Sequence, residues 1–339
     1  MKIALDAMGG DSAPESPIAG AVRAAREFED VGIVLVGLKD VIEEKLSGYP
    51  SRPPNISIAH ASETIGMDES PANAVRKKRD SSINVGLDLL KQGEVQAFIS
   101  AGNTGAAVAA STLKVGLLPG VERPGIAIQL PGVKGDTTLI DVGANINPKP
   151  MHLLQYALMG DAYCRYVLGR ANPKVGLLNV GEEEGKGTEF IKETYDLLQT
   201  GKFNFIGNVE GHDIFSGEVD VIVCDGFAGN VALKTAESLA HAISTLLKRA
   251  LSKSVITRIG AFLAHDAFAQ LRAEIDYAER GGAPLLGING ISIIAHGAST
   301  GKAIKNAIRV ARESVRSELN RHLVEAVAAY EQQTKPAQP

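Results

Sequence analysis

The chain has 339 residues, 45% hydrophobic and 22% charged, and its 35 basic and 39 acidic residues give a formal net charge of −4. This balance excludes the concentrated basic field of a nucleic-acid-binding protein, and stacking side chains are scarce because only 5% of residues are aromatic and Trp is absent. Two cysteines in so long a chain indicate a reducing cytoplasm, and we expect neither a signal peptide nor a membrane span.

Short apolar runs that end at glycine or a small polar residue alternate with segments of helical periodicity. The runs lie at 3–8, 32–37, 56–61, 97–102, 125–130, 138–144, 175–181, 203–209, 219–226, 284–288 and 291–297. The helical segments lie at 15–30, 70–92, 103–115, 149–169, 187–200, 228–252, 255–276 and 300–331.

Strands that are apolar on both faces are typical of a parallel sheet covered by helices. The pattern therefore predicts an α/β fold with a doubly wound, mostly parallel sheet in three αβα layers. We expect one large catalytic domain over 1–332 and a disordered tail over 333–339.

Polar residues gather where six of the predicted strands end. The six turns read DAMGGD (6–11), SAGNTGA (100–106), DVGANINP (141–148), NVGEEEGKG (179–187), DGFAGN (225–230) and HGAST (296–300). In an open parallel sheet such turns lie along the carboxyl edge, where ligands bind. We therefore expect the six turns to line one long cleft.

Two of these turns place glycines directly before a helix, at 102–105 and 226–230. Exposed backbone N–H groups and the positive end of a helix form an anion site, although an ordinary capped helix start explains the same residues. A nucleotide is not expected, because GEEEGK (181–186) and GASTGK (297–302) have three residues where the P-loop needs four. No strand end gives G-x-G-x-x-G either, so the sequence favours a simpler anion.

Four further features have a chemical and a structural interpretation. Lys186 lies in a glycine-bounded loop, where its ammonium would reach a phosphate or thioester carbonyl, or would simply be solvated. His296 follows a strand and suits a base, a phosphate ligand or a structural role. Cys224 is interpreted as a small buried residue rather than an acyl-carrying nucleophile. Glutamates 182–184 cannot all face one point, so we predict no metal site.

Residues 255–276 form an amphipathic pattern and, with the preceding helix, predict a projecting helical hairpin over about 235–276. Its contact residues are predicted to be Ile256, Ile259, Phe262, Leu263 and Phe268. Such a surface packs against its own domain or a dimer partner, or lies on a membrane.

Six motifs cover nearly the whole chain in the order DAMGGD, SAGNTGA, DVGAN, LLNVGEEEGKG, DGFAGNVALKT and GGAPLLGING. In this combination the chain resembles the bacterial phosphate acyltransferases of phospholipid synthesis. The resemblance implies a fold similar to phosphate acetyltransferases and isocitrate dehydrogenases. It implies conversion of a long-chain acyl group on acyl carrier protein, together with inorganic phosphate as a substrate and without a cofactor, into acyl phosphate.

The resemblance also implies a homodimer in peripheral contact with the inner face of the cell membrane through the hairpin. A downstream glycerol-3-phosphate acyltransferase would use the product. Because carrier proteins are typically acidic, basic residues are candidate contacts, with solvated helix faces as the alternative. These residues are Arg76, Lys77, Lys78, Arg79, Lys248 and Arg249.

By the same resemblance the catalytic residues fall on Lys186 and Asn230, with Asp225 or His296 orienting groups or moving a proton. Some relatives carry a second lysine at the position of Gly185. Because this chain has glycine there, Lys186 is the only cation in the sequence of this loop. Phosphate and substrate binding is predicted for Asp6, Gly9, Gly10, Asp11, Ser100, Gly102, Asn103, Thr104, Gly105, Asp141, Asn145, Gly229 and His296. Alternatives are a coenzyme A-dependent phosphate acyltransferase, a non-catalytic membrane scaffold and an NAD-dependent dehydrogenase.

Overall fold

A computed structural model describes residues 1–275 and 280–334 of the chain. The strands are β1 (Lys2–Asp6), β2 (Gly32–Gly37), β3 (Ile56–His60), β4 (Ala97–Ser100), β5 (Gly125–Leu130), β6 (Thr137–Ile140), β7 (Lys174–Leu178), β8 (Asn204–Val209), β9 (Val221–Val223), β10 (Ala283–Leu286) and β11 (Ile291–Ile294). The helices are α1 (Glu15–Glu27), α2 (Lys39–Ser47), α3 (Pro71–Lys77), α4 (Ser82–Lys91), α5 (Thr104–Ala110), α6 (Pro150–Tyr166), α7 (Glu189–Gln199), α8 (Gly226–Leu251), α9 (Val255–Leu263), α10 (His265–Ile275), α11 (Gly301–Arg316) and α12 (Leu319–Thr334).

These strands form one sheet in the order β3, β2, β1, β4, β11, β10, β5, β6, β9, β7, β8. The block from β3 to β11 is parallel, and so is the block from β6 to β8. Between them, β11 with β10, β10 with β5 and β5 with β6 pair antiparallel. The predicted mostly parallel α/β sheet is confirmed.

Alternate residues of the strands are buried on opposite faces of the sheet, which follows from the period of two in an extended chain. Ile3 and Leu5 of β1 belong to a core with α1, α6, α11 and α12, whereas Ala4 packs with α4 and α5. Residues of β5, β6 and β9 form a further core with the start of α8 on the second face. Helices therefore cover both faces, as the predicted three layers require.

The expected single row of strand-end turns is wrong, because three antiparallel pairings reverse the second block relative to the first. The turns after β1, β4 and β11 lie at one edge of the sheet, and those after β6, β7 and β9 lie at the opposite edge. An apolar run predicts a buried strand in either direction, so the sequence did not reveal this reversal.

Several predicted helices are divided in the structure. Segment 70–92 forms α3 and α4, because Ser81 caps α4 by accepting a hydrogen bond from Asn84 N at 3.4 Å. Segment 300–331 divides between α11 and α12 near Glu318, whose φ is 50°. Segment 255–276 divides at Ala264 into α9 and α10. Helix α2 was not predicted.

The second half of α8 and the following α9 project as a pair that contacts the rest of the described chain little. All residues from 241 to 250 are exposed, and α9 has no buried residue. Residue 276, the last of the predicted hairpin, lies outside the described residues, as do residues 335–339 of the predicted tail. Residue 333 and Thr334 belong to α12.

The start of α8 is packed so tightly that we expect Gly229→Ala to destabilise the fold. The new Cβ would overlap Asp141 O and lie 2.8 Å from Cys224 Sγ. Overpacking of this kind costs about 1–3 kcal/mol, to be measured as the free energy of unfolding in urea. Gly260→Ala is the matched control in a helix, because within the described chain no group beyond its own helix backbone and its two neighbours lies within 4 Å of the added Cβ. The prediction is contradicted if the two variants are equally stable.

Candidate functional site

The turns at the first edge of the sheet are joined by the carboxylate of Asp6, which is 1% exposed. Its Oδ2 accepts a hydrogen bond from Ser100 Oγ at 2.7 Å, and its Oδ1 accepts one from Met8 N at 3.0 Å. Burial raises the pKa of Asp6, and the hydrogen bonds from hydroxyl and backbone donors oppose that rise. A Cβ on Gly9 would lie 2.5 Å from Asp6 Oδ2 and 2.6 Å from Gly102 N, so close approach requires glycine here.

The neighbouring turns at this edge are fixed mainly through backbone groups. Asp11 N donates to Gly297 O at 2.8 Å, and this hydrogen bond joins the turn after β1 to the turn after β11. Gly10, in the turn after β1, has a φ of +104°. Asn103 caps α5 by accepting from Ala106 N at 3.0 Å, while its Nδ2 donates to three carbonyl oxygens in residues 66–69. Gly105 packs on Pro71. Among the residues of these turns, Thr104 also lines a cavity under α8.

At the opposite edge the organising group is the fully buried carboxylate of Asp141. It accepts hydrogen bonds from the backbone N–H groups of Ile126, Gly143, Ala144 and Asn145 at 2.7–3.1 Å. Burial raises the pKa of Asp141, and these donors oppose the rise. The carboxylate therefore shapes the turn after β6 rather than facing open space.

This turn receives the first residues of α8. Asn145 O accepts from Gly226 N at 2.8 Å, and the Asn145 side chain donates to Pro124 O and to Tyr156 Oη. Asp225 is the N-cap of α8, because its Oδ1 accepts from the N–H groups of residues 227 and 228, each at 2.9 Å. The cap and the tight packing at Gly229 fix the direction in which α8 leaves this edge.

From there α8 runs over the second face of the sheet and covers a cavity of about 120 Å³ above the antiparallel strands. Apolar side chains of Ile126, Ile128 and Ile294 lie among its lining. The polar residues around it include Thr104, Asn230, Lys234, Glu237, Arg280, His296 and Ser299. Thr104, His296 and Asn230 thus come together although they derive from opposite edges of the sheet.

A compact charged cluster lies at this cavity. Lys234 Nζ donates to Glu237 Oε2 at 2.8 Å, and His296 Nε2 lies 3.9 Å from the same oxygen. His296 Nδ1 accepts from Ala298 N at 3.1 Å, and its Nε2 lies 3.4 Å from Lys234 Nζ. Within the described chain, Glu237 Oε1 is buried and has no hydrogen-bond partner. Such a cluster can bind an anion through the Lys234 ammonium.

The sequence did not predict Lys234, Glu237 and Arg280 as site residues. Asn230, Lys234 and Glu237 are spaced i, i+4 and i+7, which places them on one face of α8, and Leu233 completes this face. That spacing was visible in DGFAGNVALKTAES and identified the face directed at the cavity. Arg280, by contrast, has no comparable signal in its sequence neighbourhood.

Lys186 lies outside the residues that line this cavity. Its side chain is 55% exposed, and its Nζ is 3.7 Å from Glu183 Oε1. The loop is closed by a hydrogen bond from Lys186 N to Glu183 O at 3.0 Å and by another from Asn179 Nδ2 to Lys186 O at 3.2 Å. Because β7 and β9 are adjacent and parallel, this loop neighbours the turn that leads to Asn230.

The three consecutive glutamates point to different partners. Glu184 Oε1 accepts from Tyr195 Oη at 2.9 Å, which attaches the loop to α7. Glu183 faces Lys186, whereas a carboxylate oxygen of Glu182 lies within 4.8 Å of ligand atoms of His212 and Asp213. Glu183 and Glu184 therefore hold the loop through separate contacts.

The predicted hairpin residues differ in exposure. Ile256, Phe262 and Leu263 are about four-fifths exposed, Ile259 is 55% exposed, and Phe268 is partly buried. Through the described ranges, no helix has both the length and the apolar character needed to cross a bilayer.

Comparison with known proteins gives the family. The sequence model described as "Fatty acid synthesis protein" matches residues 1–322. The phosphate acyltransferase of Heliobacterium modesticaldum is 53% identical over 93% of this chain and 94% of that protein. The phosphate acyltransferase of Syntrophotalea carbinolica is 50% identical over 95% of this chain and 92% of that protein.

Solved structures with the same fold include a phosphotransacetylase from Streptococcus pyogenes, with a TM-score of 0.62 and 17% identity over 93% of this chain and 94% of that one. EutD phosphotransacetylase from Staphylococcus aureus gives a TM-score of 0.59 and 16% identity, over 92% of this chain and 94% of that one. These likenesses confirm the predicted fold, and the family match confirms the resemblance carried by the six motifs. The chain belongs to the fatty acid synthesis protein family, in which its relatives are phosphate acyltransferases.

Proposed function

We propose that the protein transfers a long-chain acyl group from the thioester of acyl carrier protein to inorganic phosphate, giving acyl phosphate and free carrier protein. Family membership supports the reaction class, an acyltransferase that uses phosphate. The observation that carries the proposal is the cavity under α8, where cationic and neutral donors surround an apolar lining. Lys234, Asn230 and Thr104 suit a small anion, and the isoleucines suit acyl carbon atoms.

Direct attack is the mechanism that fits these residues. A phosphate oxygen attacks the thioester carbonyl carbon, a C–O bond forms, and the C–S bond breaks to release the carrier thiolate. Phosphate is already a nucleophile and a thioester is already activated, so the protein supplies orientation and stabilises the negative charge on the carbonyl oxygen. The released thiolate then takes up the proton that the attacking hydrogen phosphate loses.

Asn230 and Lys186 are assigned to stabilising the carbonyl oxygen. Asn230 lines the cavity, and Lys186 extends from the neighbouring loop at the same sheet edge. The exposed lysine side chain is long and flexible, so its ammonium can reach a substrate that enters beside α8.

The cluster on α8 is assigned to phosphate and to the departing sulfur. Lys234 attracts the anion, while Glu237 holds both Lys234 and the Nε2 side of His296. His296 lines the cavity, where its ring can orient the attacking hydrogen phosphate and the sulfur between which the proton moves. Asp225 is assigned a positioning role, because its carboxylate is used as the cap of α8.

A covalent acyl-enzyme on cysteine does not fit the surroundings of either thiol. Cys224 is 2% exposed, and its Sγ donates to Asp141 O at 3.3 Å. Burial raises the pKa of Cys224 well above its usual range, and the negative charges of Asp141 and Asp225 add to this. Burial likewise raises the pKa of Cys164 to about 12. Both therefore stay protonated at neutral pH and poorly nucleophilic.

The hairpin is assigned to peripheral membrane contact at the inner face of the membrane, in a homodimer. Phe262, Leu263 and Ile256 present a large apolar surface on α9, and Leu239 and Ile243 extend it along α8. Exposed apolar patches of this kind mark interaction sites, and an interfacial helix uses such a face to enter the headgroup region. A membrane location would also bring the long-chain product to a glycerol-3-phosphate acyltransferase.

Purified protein should release free thiol from palmitoyl-acyl carrier protein only when phosphate is also present. Lys186→Ala should lower turnover by about 10²-fold, the size of effect expected for one oxyanion donor. Lys202→Ala is the control, because it removes an equal charge from an exposed position nearby in sequence and should act like wild type. Faster release from palmitoyl-coenzyme A than from the carrier protein would contradict the carrier assignment, and normal turnover of Lys186→Ala would remove Lys186 from catalysis.

The two cysteines should be unreactive in the native protein between pH 7 and pH 9. Their raised pKa values keep them as thiols through this range, and burial excludes the reagent. An aromatic disulfide reagent should detect no thiol before unfolding in guanidinium and two thiols afterwards. Rapid native labelling of Cys224, with acyl group trapped on it, would overturn direct attack.

Phe262→Asp should weaken binding to vesicles that contain anionic lipid by about tenfold or more, because burying a Phe side chain contributes about 1.5–3 kcal/mol. The measurement is flotation with vesicles, with molar mass from light scattering. Val133→Asp is the control, since Val133 is 91% exposed but lies outside the hairpin. Unchanged flotation of Phe262→Asp contradicts membrane contact, and a monomer with unchanged flotation assigns this face to the dimer instead.

A further inference from the structure

A second concave surface, of about 460 Å³, lies between α1 and α11 and is lined by charged residues. Arg23 and Arg26 come from α1, and Lys302 and Lys305 come from α11. Each pair is spaced i, i+3, so the two side chains of a pair are neighbours on their helix. We call these four residues the basic groove.

Close packing of the two helices gives the basic groove a fixed shape. A Cβ on Gly20 would lie 2.5 Å from Ile304 Cβ, and a Cβ on Gly301 would lie 3.0 Å from Ala19 Cβ. Glycine at these positions lets the backbones approach, so the two pairs of cations face each other across a narrow contact.

Cations outnumber carboxylates among the described residues that line the groove. Glu27 is the one carboxylate among these residues, and it accepts from Lys305 Nζ at 2.9 Å. Further along α11, the basic residues are matched by carboxylates, as Arg309 is by Glu313 and Arg312 is by Asp30. Among the described residues, cations therefore outnumber carboxylates more strongly in the groove than further along α11.

The beginning of α11 also borders the cavity under α8. Ala303, which follows Lys302 directly, lines that cavity, as does Ser299 just before the helix. One helical turn thus has the catalytic cavity on one side and the basic groove on the other. A macromolecule bound in the groove would lie next to the entrance used by a thioester.

We propose that the basic groove docks the acidic surface of the acyl carrier protein, so that the thioester at the end of its flexible prosthetic arm enters the cavity. This inference rests on the proposed function. A groove lined by four basic residues complements an acidic protein face and would raise its association rate. A membrane is less well matched, because none of the large exposed apolar side chains lies on α1 or α11, and an interfacial helix needs such residues.

The test compares one acyl group on two carriers, palmitoyl-acyl carrier protein and palmitoyl-pantetheine, with phosphate at low ionic strength. Arg23→Glu combined with Arg26→Glu should lower kcat/KM for the carrier protein about tenfold or more, since electrostatic steering changes association rates by that order. It should leave kcat/KM for palmitoyl-pantetheine unchanged. Lys302→Gln with Lys305→Gln, which changes the other helix, should show the same selective loss of kcat/KM. Agreement between the two variants excludes misfolding of one of them as the cause.

Lys91→Glu with Lys202→Glu is the matched control, because it makes the same charge change on exposed residues outside α1, α11 and the candidate carrier contacts. An equal loss in this control, an equal loss on both substrates, or no loss in the groove variants would overturn the docking assignment. So would loss of binding to anionic vesicles with unchanged carrier kinetics, which would assign the groove to lipid. Wild-type protein inactive on both substrates would instead contradict the proposed function, so the two failures are distinguishable.

Discussion

Strands β11, β10, β5 and β6 are joined by three antiparallel pairings, and this odd number reverses the second parallel block relative to the first. Ligand-binding turns at the carboxyl ends of parallel strands are consequently separated onto opposite edges of the sheet. Neither group of turns alone brings the cavity residues together. The site forms only because α8, 26 residues and about 39 Å long at 1.5 Å per residue, passes over the strands between the two edges.

The direction of α8 depends on a few buried contacts at its first residue. Asp141 orders the turn after β6 with four backbone donors, the carbonyl of Asn145 accepts from Gly226, and Asp225 caps the helix. An N-cap alone contributes about 1 kcal/mol, so the helix start is stabilised mainly by this set of contacts acting together. These contacts also fix the positions of Lys234 and Glu237, which lie two to three turns further along α8.

Sequence periodicity and N-cap signals were sufficient to predict the strands, most helices and the start of α8 at DGFAGN, because both kinds of signal are local. They did not give strand direction, since β5 and β10 are apolar whichever way they run. The break at Ala264 lacks glycine or proline, and the contacts of Asp6 and Asp141 are non-local. Asn230, Thr104 and His296 were predicted separately, but only the path of α8 shows that they share one cavity.

Helix α8 also connects two surfaces of opposite character. Its first three turns line the cavity, whereas its last turns and α9 expose Ile243, Phe262 and Leu263. The proposed substrate arrives attached to an acidic protein, while the proposed product carries a reactive phosphate anhydride on a long apolar chain. A cationic groove suits the first and an apolar projection suits the second. Because one continuous helix links cavity and projection, a product leaving along α8 would move from the charged cluster toward the apolar face, away from the groove proposed to dock the carrier.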